Sequence, residues 1–213
     1  MTEVETWSRL AKAEKAKNAL VKNGFDAVVV KTAEEAAALL MAHVHEGTTM
    51  GFGGSMTIKS LGIQEKAAQA GAKILDHNRP GITPEEKMDT LRAQLSCDLF
   101  VCSVNALTMK GELLNIDGNG NRVAAMTFGP KKNVVVVGAN KIVADEAEGW
   151  RRLETWASPM NNKRLSKENP CVKTGVCMNC DSPTRICRVY QVLRRKPMLS
   201  DFTVIIVAQD LGY

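Results

Sequence analysis

The chain alternates between two hydrophobic periods. From residue 3 to about 22, Trp7, Leu10, Ala13, Ala16 and Leu20 recur at helical spacing, and Gly24 in "KNG" offers a C-cap. "FDAVVVK" then reads as a short buried strand. "TAEEAAALLMAHVHE" returns to helix, with Thr32 as N-cap and Glu35 three positions on. The alternation continues through "GTTMGFG" as strand, "SMTIKSLGIQEKAAQAG" as helix and "AKILDH" as strand. "TPEEKMDTLRAQLS" follows as a helix that opens on Thr83, Pro84 and Glu86, a capped start with proline at the first helical position. "DLFVCSVNAL" is the next strand and its exit.

After residue 110 strand signals crowd together. "DGNGN" between two apolar runs predicts a hairpin, "GPKKN" a second tight connection, and "VVVVG" the strongest buried strand of the chain. Residues 144–165 predict helix, residues 187–195 a further helix, and "DFTVIIVAQDLGY" a final strand. Strand and helix alternate first and a strand-rich section follows. That order predicts an α/β fold with a largely parallel central sheet covered by helices. A single domain spans residues 1–213, and the cysteine-rich stretch 166–197 reads as an insertion between the last helix and the last strand.

Composition narrows the class. At 213 residues, 45% hydrophobic and 24% charged, the chain can bury one substantial core. No segment approaches the about 18 apolar residues of a membrane span. The first residues mix charges of both signs without an apolar h-region, so no signal peptide is expected, and a cytoplasmic, reducing location follows. Structural disulfides are not expected there. The net charge of +5 invites a nucleic-acid reading. With only 5% aromatic residues there is little to stack bases on, and the basic residues after 160 read as a solvated face.

Four of the six cysteines fall within "CVKTGVCMNCDSPTRIC": Cys171, Cys177, Cys180 and Cys187, spaced C-x5-C-x2-C-x6-C. Four thiolates satisfy both tetrahedral zinc and a 4Fe-4S cluster. One C-x2-C pair with a single cysteine on either side favours the cluster over the two paired knuckles usual for zinc; zinc and buried free thiols are the alternatives. Lys173, Arg185 and Arg188, opposed by Asp181, are placed to offset a cluster's negative charge. Cys97 and Cys102, in "SCDLFVCSV", read as small buried hydrophobes.

A second constellation is "MGFGGSMTIKSLG", in which Gly53, Gly54, Ser55 and Thr57 stand between a strand and a helix, with Lys59 close by. Small residues let a ligand approach backbone N–H groups, so the loop predicts an anion site, against the plainer reading of a capped turn. The segment "SVNALTMKGELLNIDGNGNR" carries Asn105, Thr108, Glu112, Asp117 and Asn121 near predicted strand ends, where open α/β sheets bind ligands. Glu112, beside Leu113 and Leu114, and Asn105 are the candidate catalytic residues. His43, His45 and His77 read as non-catalytic.

The glycine-rich loop, the segment "SVNALTMKGELLNIDGNGNRVAAMTFGPKKNVVVVGANKIV" and the cysteine loop together resemble the lactate-utilisation (LUD) domain family over nearly the whole chain. The resemblance implies a three-layer α/β sandwich similar to the ribose-5-phosphate isomerase, glucosamine-6-phosphate deaminase and CoA-transferase group. It also implies an association with oxidation of lactate to pyruvate, with iron–sulfur clusters on partner subunits. By that resemblance Gly53, Gly54, Ser55 and Thr57 correspond to the ligand loop, and Asn105 through Asn121 to the polar segment facing it. The cysteine loop departs from the short, cluster-free members.

The expected function is an iron–sulfur redox protein acting on a small anionic substrate, with Lys59 or Lys141 assisting the carboxylate. A cluster moves one electron at a time and the chain has no recognisable flavin motif, so a redox partner protein is expected. Homo-oligomerisation is left open. Two other classes compete: a non-redox isomerase or CoA-transferase-like enzyme with Glu112 as base or nucleophile, and a binding protein stapled by zinc. The cysteine site is expected close to the ligand pocket.

Overall fold

The computed structural model describes residues 2–213. Its frame is a six-stranded sheet of β1 (Asp26–Val30), β2 (Thr49–Phe52), β3 (Lys73–Leu75), β4 (Leu99–Cys102), β7 (Lys132–Gly138) and β10 (Asp201–Val207), in the order β1-β10-β7-β4-β2-β3. Every pairing in it is parallel. The "VVVV" run explains why a sheet of this kind forms. Val134 and Val136 pack into one core with Ile205 and Val207, while Val135 and Val137 pack into the opposite core with Val204 and Ile206. A parallel strand covered on both faces needs this continuous apolar run, because neither face meets water.

Helices α2 (Ala33–Met41), α3 (Met56–Ser60) and α4 (Ile63–Gln69) cover the first face. Helices α1 (Glu3–Lys22) and α6 (Asn121–Thr127) pack on the second. The expected α/β architecture, helices on both sides of a parallel sheet, is the observed one. On α1 the predicted stripe holds at Ala13, Ala16 and Leu20, which are fully buried, but Trp7 is exposed. Helix α5 (Pro84–Ala93) begins as its sequence requires: Thr83 and Glu86 form a reciprocal capping box behind Pro84.

Three expectations are corrected. "DGNGN" is not a hairpin. Strand β6 (Leu113–Asp117) ends at its first residue, and Gly120, at φ 81°, turns the chain into α6. A positive φ and an asparagine-rich turn serve a strand-to-helix junction as readily as a hairpin. The helix expected over 55–71 is two helices, α3 and α4, separated at Gly62, whose φ of 61° interrupts the helical path. The helix expected over 187–195 is a strand, β9 (Val189–Leu193), antiparallel to β6.

That last strand belongs to a second, smaller sheet, ordered β8-β5-β6-β9 with β5 (Ala106–Thr108) and β8 (Ile142–Val143). Leu107 and Leu113 of this sheet face the core shared with α1, and Ala106 and Leu114 face Leu153, so the small sheet is also covered on two sides. Helix α7 (Glu146–Arg152) leads through a π-helical turn, Leu153–Ala157, into α8 (Ser158–Arg164). Pro159 accounts for the π turn. A proline in a helix lacks an N–H and clashes with the carbonyl four residues back, and widening the helix relieves the clash.

Candidate functional site

The carboxyl ends of β3, β2, β4 and β7, together with the tail beyond β10, border a single cleft of about 710 Å³. Open parallel sheets bind ligands at this edge, because successive loops leave on opposite faces and open a crevice between them. Gly53, Gly54, Ser55, Thr57, Lys59, Asn105, Asp117, Asn121 and Lys141 all line it. Thr108 and Glu112 do not.

The displacement of Glu112 has a geometric reason. Strands β5 and β6 form an antiparallel hairpin whose two open ends, at Asn105 and Asp117, meet the cleft. Its turn lies about 10 Å further along, at about 3.3 Å per residue. There the Thr108 hydroxyl donates to Glu112 Oε2 (3.0 Å) and accepts from the backbone N–H of Glu112 (3.1 Å). Gly111 sits so close to the α1 backbone that a Cβ would meet Leu20 N at 2.6 Å. Glu112 thus fastens a hairpin turn and is not positioned to act on a ligand in the cleft.

The remaining residues divide by whether their polar atoms are already engaged. Asp117 pairs with Arg122, whose Nε donates to Asp117 Oδ1 (2.9 Å), and it also accepts from the N–H of Val123 in the first turn of α6 (3.1 Å). Arg122 spends its other donors on Ser103 O, Ile116 O and Asn105 Oδ1. Asn105 Oδ1 also accepts from Ile116 N (3.0 Å), while its Nδ2 has no protein partner among the described residues. Asp117, Arg122 and the Asn105 carbonyl therefore form a brace beneath the cleft floor. The Asn105 Nδ2 and the Asn121 side chain have free hydrogen-bonding capacity toward a ligand.

Thr57 is fully buried: its hydroxyl donates to Leu211 O (3.0 Å) and accepts from Lys141 Nζ (2.9 Å). Lys141 Nζ also donates to Ser103 Oγ (3.0 Å) and Val104 O (3.3 Å). Burial, seconded by the charges of Arg152 and Arg122, pushes the Lys141 amine down to about 7. It is thus a buried amine tying the ends of β4 and β7 to α3, not a simple surface cation. Lys59, by contrast, is exposed on the cleft and makes no ion pair among the described residues.

The two glycines have different reasons. A Cβ on Gly53 would meet the Cys102 Cβ at 2.9 Å and Arg122 Cδ at 3.3 Å, so Gly53 is required by packing. A Cβ on Gly54 would meet nothing within 4 Å, so Gly54 leaves room on the cleft side. Ser55 caps α3 through a long 3.4 Å contact from Ile58 N. With only five residues in α3, its macrodipole is small. The positive potential of the cleft comes instead from side-chain cations. Lys59, expected from the sequence, lines the cleft with Lys87, Arg164 and Lys167, which no local motif joins to it because they lie far away in the chain. His77 also lines it, nearly buried, with Gln94 Nε2 3.0 Å from its Nδ1. Burial and the neighbouring Lys87 lower its pKa, which favours the neutral ring.

The cysteine loop forms the adjoining wall. Cys171, Cys177, Cys180 and Cys187 all line one small recess, with Ser158, Asn162, Asn169, Met178, Arg185 and Ile186. Ser158, Ile186 and Cys187 line the cleft as well. Cys171 and Cys187 are buried, and Cys177 and Cys180 are half-buried. Burial, and to a lesser degree the three neighbouring thiols, raises the pKa of Cys171. No group of three or more His, Cys, Asp or Glu side chains among the described residues is drawn together as around a single ion. The donor set itself, four sulfurs with no carboxylate in the recess, fits a thiolate-bound metal centre. Cys97 and Cys102 lie in the core beneath the sheet, where burial lifts their thiols to about 11 and about 12.

The loop is braced by its own polar groups. Arg185 donates to Cys180 O (2.8 Å), Cys187 O (2.8 Å) and Asn179 Oδ1 (3.1 Å). Asn169, buried, links Asn162 to Thr184. The π turn supplies a further anchor. In that register Ser158 N–H bonds Leu153 O, and the group that would next bond Glu154 O is the nitrogen of Pro159, which has no hydrogen. Cys177 N–H takes its place at 2.8 Å. Arg188 N–H bonds Asp117 O (3.0 Å), which ties the loop to the cleft at the end of β6.

The LUD domain family profile matches residues 13–207 of this chain. Among solved structures the fold is similar to that of a DUF162 family protein from Deinococcus radiodurans, with a TM-score of 0.54 at 14% identity over 93% of this chain and 98% of that one. No curated protein matches the chain. With the profile running from α1 to the last strand of the sheet, the chain belongs to the LUD domain family, a family associated with lactate utilisation.

Proposed function

We propose that this protein is an iron–sulfur redox protein linked to the use of lactate or a related small organic acid, with the acid held in the cleft beside the GFGGS loop. The observation that carries the reading is the shared wall: Cys187, Ile186 and Ser158 belong both to the four-thiol recess and to a cleft lined with unpaired cations. Cys171, Cys177, Cys180 and Cys187 are the residues that would hold a 4Fe-4S cluster, with Arg185 bracing the carbonyls of Cys180 and Cys187. Such a cluster supplies one-electron transfer when bound. In this reading Lys59 attracts the carboxylate, Gly54 leaves space for it, and Asn105 Nδ2 and Asn121 orient its polar groups. A partner protein serves as the further electron acceptor, because a hydroxy acid gives up two electrons on oxidation.

Anaerobic purification followed by absorption spectroscopy and iron, sulfide and zinc analysis tests the reading. The expected result is a brown protein with iron and sulfide in about equal amounts, lost in Cys177→Ser and kept in Cys97→Ser. A colourless protein with one zinc per chain favours the stapled binding protein instead. Metal content unchanged in Cys177→Ser and lost in Cys97→Ser removes the four-cysteine assignment.

A further inference from the structure

The cleft is larger and more cationic than a three-carbon acid requires. It runs from the end of β3 to the end of β7, three strand spacings in the sheet order, and the tail beyond β10 crosses back over it to Thr57. At about 4.8 Å each, these amount to about 14 Å. Its volume of about 710 Å³ is that of a site for a much larger ligand than lactate, within the roughly 300–1,000 Å³ range of drug-sized pockets.

Its charges are also not balanced from within. Arg122 and Asp117 cancel each other. Asp76, bonded only to the neutral Gln64 Nε2 (2.9 Å) and the N–H of Asn78 (2.8 Å), and the exposed Glu65 are the other carboxylates on the lining, fewer than its cations. Lys59, Lys87, Arg164 and Lys167 have no carboxylate partner among the described residues, and they are not clustered at one point. Lys87 stands with His77 at the β3 end, close enough to lower the His77 pKa. Arg164 stands beside Tyr213 on α8, the helix that begins at Ser158 of the cysteine wall. Between them the lining is rich in amides and hydroxyls: Gln64, Ser55, Asn105, Asn121 and Ser158. Phe52 and Tyr213 are the aromatic residues on the lining, and Phe52 is itself buried, so little surface is offered for stacking a nucleobase.

Taking the cleft as the ligand site, as the proposed function does, we infer that its ligand is an elongated, polyhydroxylated molecule with an anionic group at each end, a sugar bisphosphate or a phosphorylated sugar acid, spanning Lys87 and Arg164. A monoacid of three carbons reaches one end only and leaves the other cations uncompensated. A molecule with two separated anions satisfies both ends, and its hydroxyls meet the amides between.

Calorimetric titration of the purified full chain with fructose 1,6-bisphosphate, 6-phosphogluconate, L-lactate and ATP tests this, in the parent protein and in Lys87→Gln, Arg164→Gln and Gly54→Val. Both end substitutions are on the cleft surface, outside the packed core, and circular dichroism verifies that each variant folds. The expected result is that at least one of the two sugar ligands binds ten-fold or more tighter than lactate and ATP. Each end variant then weakens it about ten-fold, and Gly54→Val weakens it further. The inference is overturned, and the cleft reading kept, if lactate or ATP binds as tightly as the sugar ligands and Gly54→Val blocks that binding. Both fall if no probe binds, or if binding is indifferent to all three substitutions.

Discussion

At the scale of single residues, the cleft separates groups that hold the fold from groups free to meet a ligand. Gly53 and Gly54 are adjacent and look equivalent in sequence, yet one is packed against Cys102 and the other faces open space. Gly53→Ala is therefore expected to destabilise the protein by about 1–3 kcal/mol through overpacking. Gly54→Val should leave the unfolding midpoint nearly unchanged while narrowing the cleft, and paired denaturant melts and ligand titrations distinguish the two. Lys141 yields a prediction about pH. Its amine titrates at about 7 in the folded protein, below the ordinary lysine value of 10.5. Between those two values the unfolded chain binds a proton that the folded chain does not, so this group's contribution to stability rises with pH. It is least favourable below about 7, where the buried amine is charged in both states. The slope is up to about 1.4 kcal/mol per pH unit in that window. Urea unfolding from pH 7 to 8, below the range in which the buried Cys97 and Cys102 thiols contribute a slope of opposite sign, is expected to give a more positive slope in the parent protein than in Lys141→Met, whatever the absolute stability of that variant. An unchanged slope in Lys141→Met assigns the pH dependence elsewhere.

At the scale of elements, the cysteine loop is the segment whose order depends least on apolar packing. Val176 and Met178 are exposed, and its internal bonds run through Arg185, Asn169 and Thr184. It is anchored at two places: Cys177 N–H, within the loop, is fixed to the carbonyl that the π turn leaves over, and β9, which follows it, is paired with β6. Removal of a bound metal centre with a chelator is thus expected to raise amide exchange about ten-fold or more over residues 171–187. The same treatment should leave β7 and β10, buried on both faces, unchanged. Exchange measured by mass spectrometry on metal-loaded and stripped protein checks this, and equal loss in both regions contradicts it. Sequence patterning failed at elements for one recurrent reason. "DGNGN" and residues 187–195 carry local signals compatible with either helix or strand, and the choice was made by the partner available. Asp117 caps α6 through Val123, and β6 offers an open edge to β9.

At the scale of the whole molecule, the parallel sheet fixes where chemistry can occur by gathering the ends of β3, β2, β4 and β7 on one edge. Much of this was legible in the chain itself. The alternation of buried strands with capped helices, the two-sided "VVVV" strand and the glycine loop between strand and helix are local patterns, each readable within a window of about ten residues. The clustering of four cysteines was equally plain, because their proximity in sequence forces proximity in space. What the sequence could not contain was the identity of residues brought together over long separations. Lys87 and Arg164 share a cleft though they come from helices on either side of β4 and β7 in the chain. Arg122 disarms Asp117, Lys141 is buried behind Thr57 and Ser103, and Glu112 is carried to the far end of a hairpin. Whether a polar side chain is free or spent depends on its partners, and the partners are set by packing. The residues that can bind were therefore visible one by one in the sequence, while the tertiary structure alone decided which of them have hydrogen bonds and charge left to offer a ligand.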